Sequence, residues 1–328
     1  MRILIIYTGG TIGMAQGPRG LAPLVGGLAA PLAQRCPGAE LLEYAPLLDS
    51  SSMTPRHWAQ IARDIQARVA DFDGFLVLHG TDTLAWTAAA LAYQLQGAGR
   101  PVVVTGAMRP WSAPDSDAPG NVEAAWALLH QPAFREVGVV FANRVYRATR
   151  VRKLDCSADE AFDSPNAPAL GEYVGRQWRL DSLRLAQVPA VMDRLQPINP
   201  DWQVLSVRLA PGFNARWFGE QLRQAPPQAL LVEAYGSGNL PEESVLLDTL
   251  GALATRIPVA VCTQCLRGTV QLGQYAAGSP LAAAGVFDAA DMTPEASLAK
   301  LYWVMSQTPD LAVRRALFET PLLDDRSA

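Results

Sequence analysis

Arg2-Ile3-Leu4-Ile5-Ile6-Tyr7-Thr8-Gly9-Gly10-Thr11-Ile12-Gly13 stands near the start of the chain. Its aliphatic run ends abruptly in a polar, glycine-containing turn. That is the pattern of a strand covered on both faces, followed by the loop at its carboxyl end. The pattern returns downstream. Residues 75–78 lead into His79-Gly80-Thr81-Asp82, residues 102–104 into Thr105-Gly106, and residues 137–141 into Asn143-Arg144. Helical patterns lie between these runs. Thr54-Pro55 offers an N-cap and a proline at the first helical position, and Trp58, Ile61, Ala62, Ile65 and Val69 share one face of a 3.6-residue period. Residues 84–95 are alanine-rich, and residues 122–129 follow a Gly120-Asn121 turn; both read as helices. Alternating strands and helices predict an α/β protein of two domains. The larger N-terminal domain carries a mainly parallel sheet flanked by helices, and a smaller α/β domain follows.

The regularity lapses between residues 172 and 203, where Pro189, Pro197 and Pro200 interrupt any period. The expected organisation is therefore an N-terminal domain over 1–185, a linker over 186–203 and a C-terminal domain over 204–328. In the last of these, residues 204–209, 229–232 and 259–261 read as strands. The second leads into Tyr235-Gly236-Ser237-Gly238-Asn239 and the third into Thr263-Gln264. Residues 294–306 and 311–318 read as closing helices. Asp324-Asp325-Arg326-Ser327-Ala328 reads as a polar, frayed tail.

In open α/β sheets, ligands collect at the carboxyl ends of the strands. The turns named above supply threonine, serine, aspartate and glycine, which suits a hydroxyl nucleophile with oxyanion donors better than redox or metal chemistry. The three histidines, His57, His79 and His130, exclude a histidine-rich metal site. Cys262 and Cys265 form a C-x-x-C with no second ligand pair, and all four cysteines read as free thiols of a reducing cytoplasm. A net charge of −4 argues against polyanion binding, and no apolar run is long enough for a membrane span. Thr8 to Gly13 only approximates a dinucleotide fingerprint: threonine takes the first glycine position, and Glu40 lies too far on to hold a ribose. Taken singly, Thr81 and Asp82 read as caps of the helix at residue 84. His79 reads as structural, and Arg147, Arg150, Arg152 and Lys153 read as a solvated basic face.

Together, Tyr7-Thr8-Gly9-Gly10-Thr11-Ile12-Gly13 and Leu78-His79-Gly80-Thr81-Asp82-Thr83 resemble the two signatures of the bacterial-type L-asparaginases. Further matches are Leu48-Asp49-Ser50-Ser51 before Met53-Thr54-Pro55, Val104-Thr105-Gly106-Ala107, Asn143-Arg144 through Lys153, Phe162-Asp163-Ser164-Pro165-Asn166 and Ala290-Asp291-Met292-Thr293. The spacing is similar to that of the cytoplasmic type I subgroup.

The resemblance implies hydrolysis of L-asparagine to L-aspartate and ammonia without metal or cofactor. Thr11 corresponds to the nucleophile, and Thr81, Asp82 and Lys153 to a second Thr-Asp-Lys constellation. Asp49, Ser50 and Ser51, with Thr81 and Asp82, correspond to the substrate-binding residues. Backbone N–H groups near Gly10 and Thr81 are the implied oxyanion donors. The family commonly carries a tyrosine on the loop near Gly20; here Leu21 follows that glycine, and no tyrosine lies between Tyr7 and Tyr44. The loop over residues 15–23 is the implied lid. A homodimer or a dimer of dimers is also implied, with Ser237 or Asn239 reaching a neighbour's site. Thr263-Gln264-Cys265 is similar to a segment lining a second asparagine site in some type I relatives, but Glu233 stands where those relatives can have arginine. The asparaginase-like subunit of a tRNA-dependent amidotransferase is the disfavoured relative, because such subunits carry an additional N-terminal domain. A non-catalytic amino-acid-binding module on the same fold is the competing reading.

Overall fold

A computed structural model describes residues 1–17, 20–185, 196–273 and 279–327. The chain divides into two compact units, Met1–Gln196 and Pro197–Ala328. Ten residues of the expected linker, 186–195, lie outside the described residues.

In the first unit, strand β1 (Ile3–Gly9) leads through a 3-10 turn (Thr11–Gly13) into a small antiparallel hairpin, β2 (Met14–Gly17) and β3 (Gly20–Pro23). Helix α1 (Ala29–Arg35), strand β4 (Glu40–Leu48), helix α2 (Pro55–Gln66), strand β5 (Gly74–Leu78), helix α3 (Leu84–Gln94) and strand β6 (Val102–Thr105) follow. Helix α4 (Ala118–Leu129) and strands β7 (Val137–Phe141) and β8 (Arg144–Arg147) come next. A two-residue ribbon, β9 (Arg152–Lys153) and β10 (Phe162–Asp163), precedes the hairpin of β11 (Gly171–Val174) and β12 (Gln177–Leu180). The main sheet has eight strands in the order β12-β11-β8-β7-β6-β5-β1-β4. Strands β4, β1, β5, β6 and β7 are parallel and the last three antiparallel, so the α/β class and the mainly parallel sheet expected from sequence are found.

The interior strands β1, β5 and β7 are buried along their whole length, as their unbroken apolar runs require. Ile3, Ile5 and Tyr7 of β1 share a core with Leu32 of α1 and with Val122 and Leu128 of α4. Helices α2 and α3 contribute nothing to that core and pack on one another, with α3 also against β6 and β7. Parallel pairing in register (Tyr7 beside Glu43 and Leu78, Leu78 beside Thr105) brings the turns after β1, β5 and β6 to one edge of the sheet.

Three local expectations are corrected. Gly120 and Asn121 are not a turn; α4 begins at Ala118 with Pro119 in its first turn, a position that tolerates proline. Residues 171–180, on which the lapse of regularity encroaches, form the hairpin that extends the sheet edge. Arg147 and Arg150 are not a solvated face. Both are buried, and the Arg147 guanidinium lies against Glu136 and donates to the Arg184 carbonyl.

The second unit has a parallel sheet in the order β13-β14-β15-β16: β13 (Val204–Arg208), β14 (Ala229–Ala234), β15 (Val259–Thr263) and β16 (Phe287–Asp288). Its helices are α5 (Ala215–Gln224), α6 (Ser244–Ala254), α7 (Ser279–Ala283), α8 (Pro294–Gln307) and α9 (Leu311–Glu319). Leu230, Val232, Val259 and Val261 of the sheet pack with Leu246, Leu250 and Leu253 of α6. The chain's end is not frayed through Ser327. Lys300 and Asp325, both fully buried, pair at 2.6 Å, and the Ser327 backbone N–H and hydroxyl each donate to the Asp291 carboxylate at 2.7 Å. No helix among the described residues is long and apolar enough to cross a membrane.

Candidate active site

The site is built from four turns at the carboxyl edge of the first unit's sheet. The turn after β5 is the most firmly held. Thr81–Thr83 forms a 3-10 turn that runs directly into α3. Thr81 and Asp82 do not cap that helix; Thr83 stands at its N-cap without a side-chain bond to the helix, and the Thr81 and Asp82 side chains turn to Lys153. The Lys153 ammonium donates to Thr81 Oγ1 and to Asp82 Oδ1, both at 2.8 Å. Lys153 reaches them from the β9–β10 ribbon, where it pairs with Phe162, whose ring packs on Phe141 of β7 with centroids 4.7 Å apart. Its side chain is only 16% exposed, whereas that of Asp82 is 63% exposed and open to a ligand.

His79 underpins this turn. Its Nδ1–H donates to the Gly80 carbonyl at 2.7 Å, and its Nε2 accepts from the Thr87 hydroxyl at 2.9 Å. The ring is fully buried, and desolvation of the charged form lowers its pKa from the usual 6.5 to about 4. A neutral imidazole with both nitrogens occupied by the scaffold is a structural part and not a base for the site.

The turn after β4 is next. Asp49 caps a 3-10 turn (Ser50–Ser52) by accepting the Ser51 backbone N–H at 3.0 Å, leaving Asp49 and Ser51 exposed. Ser50 is buried, and its carbonyl accepts from the Thr83 hydroxyl at 2.7 Å. The turns after β1 and β4 both press on Gly80. A methyl group there would stand 2.5 Å from Ser50 Oγ. One on Gly10, whose φ of +95° already favours glycine, would stand 2.4 Å from the Gly80 Cα. The Thr11 turn is thus packed directly against the residue preceding Thr81.

Thr11 itself is half-buried, and among the described residues its hydroxyl makes no hydrogen bond. Its turn is tied to the loop after β6, where the Trp111 backbone N–H donates to the Ile12 carbonyl at 3.0 Å. Beyond the turn runs the hairpin of β2 and β3, with Leu21 48% exposed; Pro18 and Arg19 lie outside the described residues. Tyr44 is committed elsewhere, its hydroxyl donating to Asp64 at 2.6 Å.

Sequence reasoning missed the residues that hold the turns together. Asn121 donates to the Gly106 carbonyl and to Asp117, both at 3.1 Å, and accepts the Ala142 backbone N–H at 3.0 Å, linking the turns after β6 and β7. Reading Gly120-Asn121 as a turn hid it. Thr83 and Thr87 lie within or just after a quoted signature, but nothing in the sequence says which carbonyl or ring they meet.

In the second unit, Ser237 and Asn239 sit in a turn closed by paired backbone bonds between Tyr235 and Asn239. The Gln264 side-chain amide donates to the Leu209 and Glu233 carbonyls at 2.7 Å each, and Glu233 lies 3.9 Å from Arg208. None of the four cysteines forms a disulfide; Cys262 is buried and Cys265 exposed.

The asparaginase N-terminal domain matches residues 2–184, and the glutaminase/asparaginase C-terminal domain matches residues 203–318. L-asparaginase 1 of Escherichia coli is 40% identical, across 96% of this chain and 95% of that protein. The crystal structure of L-asparaginase I from Vibrio cholerae superposes with a TM-score of 0.88 at 36% identity, covering 100% of this chain and 99% of that one. The L-asparaginase from Thermococcus kodakarensis gives 0.87 at 32% identity, with both chains covered completely. The chain belongs to the asparaginase family.

Proposed function

We propose that the chain hydrolyses the side-chain amide of L-asparagine to L-aspartate and ammonia, with Thr11 as nucleophile. The observation that carries this reading is the Lys153 ammonium held 2.8 Å from both Thr81 Oγ1 and Asp82 Oδ1, on a turn against which the Thr11 turn packs. Two threonine hydroxyls from remote parts of the sequence then share one cleft.

In this reading the substrate's α-carboxylate and α-ammonium are taken by the turn of Asp49, Ser50 and Ser51, with Asp82 facing the ammonium. The Thr11 oxygen attacks the amide carbon, and backbone N–H groups of Gly10 and Thr81 receive the negative charge that builds on the amide oxygen; one such donor is worth about 3 kcal/mol. The proton lost by the Thr11 hydroxyl passes to the amide nitrogen, the C–N bond breaks, ammonia leaves, and an aspartyl ester on Thr11 Oγ1 remains. Water then attacks the ester; as the bond to Thr11 Oγ1 breaks, one water proton, relayed through the Thr81 hydroxyl that Lys153 holds in place, passes to Thr11 Oγ1, and aspartate is released. The exposed Asp82 and the mostly buried Lys153 suit these two duties, one facing the substrate and the other the proton path. We further propose a cytoplasmic protein, in keeping with its free thiols, that works as a homodimer or dimer of dimers.

The test is ammonia release from L-asparagine by the purified protein. Wild type releases ammonia over many turnovers, and Thr11→Ala, Thr81→Ala and Lys153→Ala show no steady turnover while keeping the fold. Binding of asparagine without release makes the protein an amino-acid-binding module instead. Sedimentation tests the assembly: a monomer with full activity contradicts it.

A further inference from the structure

The Tyr7 hydroxyl is completely buried and has no hydrogen-bond partner among the described residues. It lies under the turn that carries Thr11. A methyl group on Gly13 would come within 1.9 Å of Tyr7 Oη, so glycine at 13 is what lets the phenol sit there. An unbonded buried hydroxyl costs stability that a phenylalanine would not.

The carbonyls nearest in the chain each already accept one backbone N–H. The Gly10 carbonyl accepts the Gly13 N–H, Thr11 accepts Met14, Ile12 accepts Trp111, and Gly13 accepts Leu24. A carboxylate lies across the strand pairing. Glu43 is the register partner of Tyr7 across the β1–β4 pairing, where side chains of paired residues leave the same face of the sheet. Glu43 Oε1 accepts the Gly26 backbone N–H at 2.8 Å, and a carboxylate has capacity for further donors. Gly13 and Gly26 bracket the β2–β3 hairpin, so both of its roots rest on the Tyr7–Glu43 pair. Burial first, and the Glu43 charge second, push the phenol up to about 12, which keeps its proton in place and makes it a donor at neutral pH.

We propose that Tyr7 is a positioning residue for Thr11: its buried hydroxyl beneath Gly13 donates to the Glu43 carboxylate when substrate settles on the Thr11 turn, and so fixes that turn in its reactive setting. This rests on the reading of Thr11 as nucleophile. It acts through Gly13 and does not touch the substrate.

Tyr7→Phe removes one oxygen and leaves the packing. The thermal midpoint of the ligand-free variant equals or exceeds that of wild type, kcat for ammonia release falls about tenfold with KM within about twofold, and the rise in midpoint on adding L-aspartate shrinks. Glu43→Gln, which keeps an acceptor but loses the charge, lowers kcat about threefold, and the double variant is no slower than Tyr7→Phe alone. An unchanged kcat in Tyr7→Phe, a fall in its ligand-free midpoint, or losses that multiply in the double variant each overturn the proposal. Wild type and Thr11→Ala, assayed alongside, judge the nucleophile separately. If wild type releases ammonia and Thr11→Ala does not, a failure at Tyr7 is a failure of this inference alone. If wild type releases none, both readings fall.

Discussion

The Thr81 turn and the Thr11 turn follow neighbouring parallel strands and meet at Gly80, yet they are built differently. The Thr81 turn is wired on every side: Lys153 on its hydroxyl, His79 and Thr87 beneath, Thr83 across to Ser50, and α3 directly behind. The Thr11 turn leads into an exposed two-stranded hairpin, its hydroxyl unbonded and the phenol below it unbonded as well. The contrast divides the labour. Groups that move protons gain most from fixed geometry, because preorganised hydrogen bonds need no rearrangement during the reaction. The group that attacks must first admit a substrate, and a turn with bonds still to be made can adjust.

This comparison can be broken or sharpened in order of effect. Thr11→Ala and Thr81→Ala each lower kcat by about a thousandfold or more, read as ammonia release, with the thermal midpoint unchanged. A rate near that of wild type in either variant would erase the division. Gly10→Ala drives a methyl group into Gly80 at a φ of +95°, so it costs about a hundredfold in kcat and also lowers the midpoint. Leu21→Tyr offers the Thr11 side a hydroxyl and raises kcat about tenfold; an unchanged rate makes the missing loop tyrosine irrelevant. Thr83→Val releases the Ser50 carbonyl and raises KM about fivefold with kcat nearly held, since it loosens the turn assigned to the substrate's α-groups.

The pH dependence follows from His79. Its folded pKa of about 4 lies below the unfolded 6.5, so the unfolded chain binds the extra proton between those values. Its contribution to stability is therefore complete above pH 6.5 and is lost as pH falls toward 4, at up to about 1.4 kcal/mol per pH unit. Thermal midpoints from pH 7 to pH 4.5 read this slope, and His79→Gln removes it.

Much of this architecture was legible because the relevant signals are local. Unbroken apolar strands ending in glycine turns specify a parallel sheet and its ligand edge, and Thr54-Pro55 specifies the start of α2, whose N-cap and N3 side chains form a capping box. The rest depended on contacts between distant residues. Strand β4 is interrupted by Pro46 and survives because it is an edge strand, where a missing N–H is tolerated. The tail Asp324-Asp325-Arg326 looks solvated in sequence. It is ordered by Lys300, a charge on an otherwise buried helix whose pairing with Asp325 offsets its desolvation; removing one partner of such a pair typically costs about 3–5 kcal/mol. Lys153 could not be told from the arginines before it by composition. Arg147 is drawn inward by Glu136, while the β9–β10 ribbon turns Lys153 toward Thr81. The turn assigned to Gly120-Asn121 failed because a helix start can hide behind residues that also favour turns.

The most direct measurement is the site of acylation. Thr81→Ala, mixed with L-asparagine, quenched in acid and digested, should carry one aspartyl group on the peptide containing Thr11 and none elsewhere. An aspartyl group on Thr81 in the Thr11→Ala variant, with none on residue 11 in the reciprocal experiment, would contradict the assignment of nucleophile and the division between the two turns.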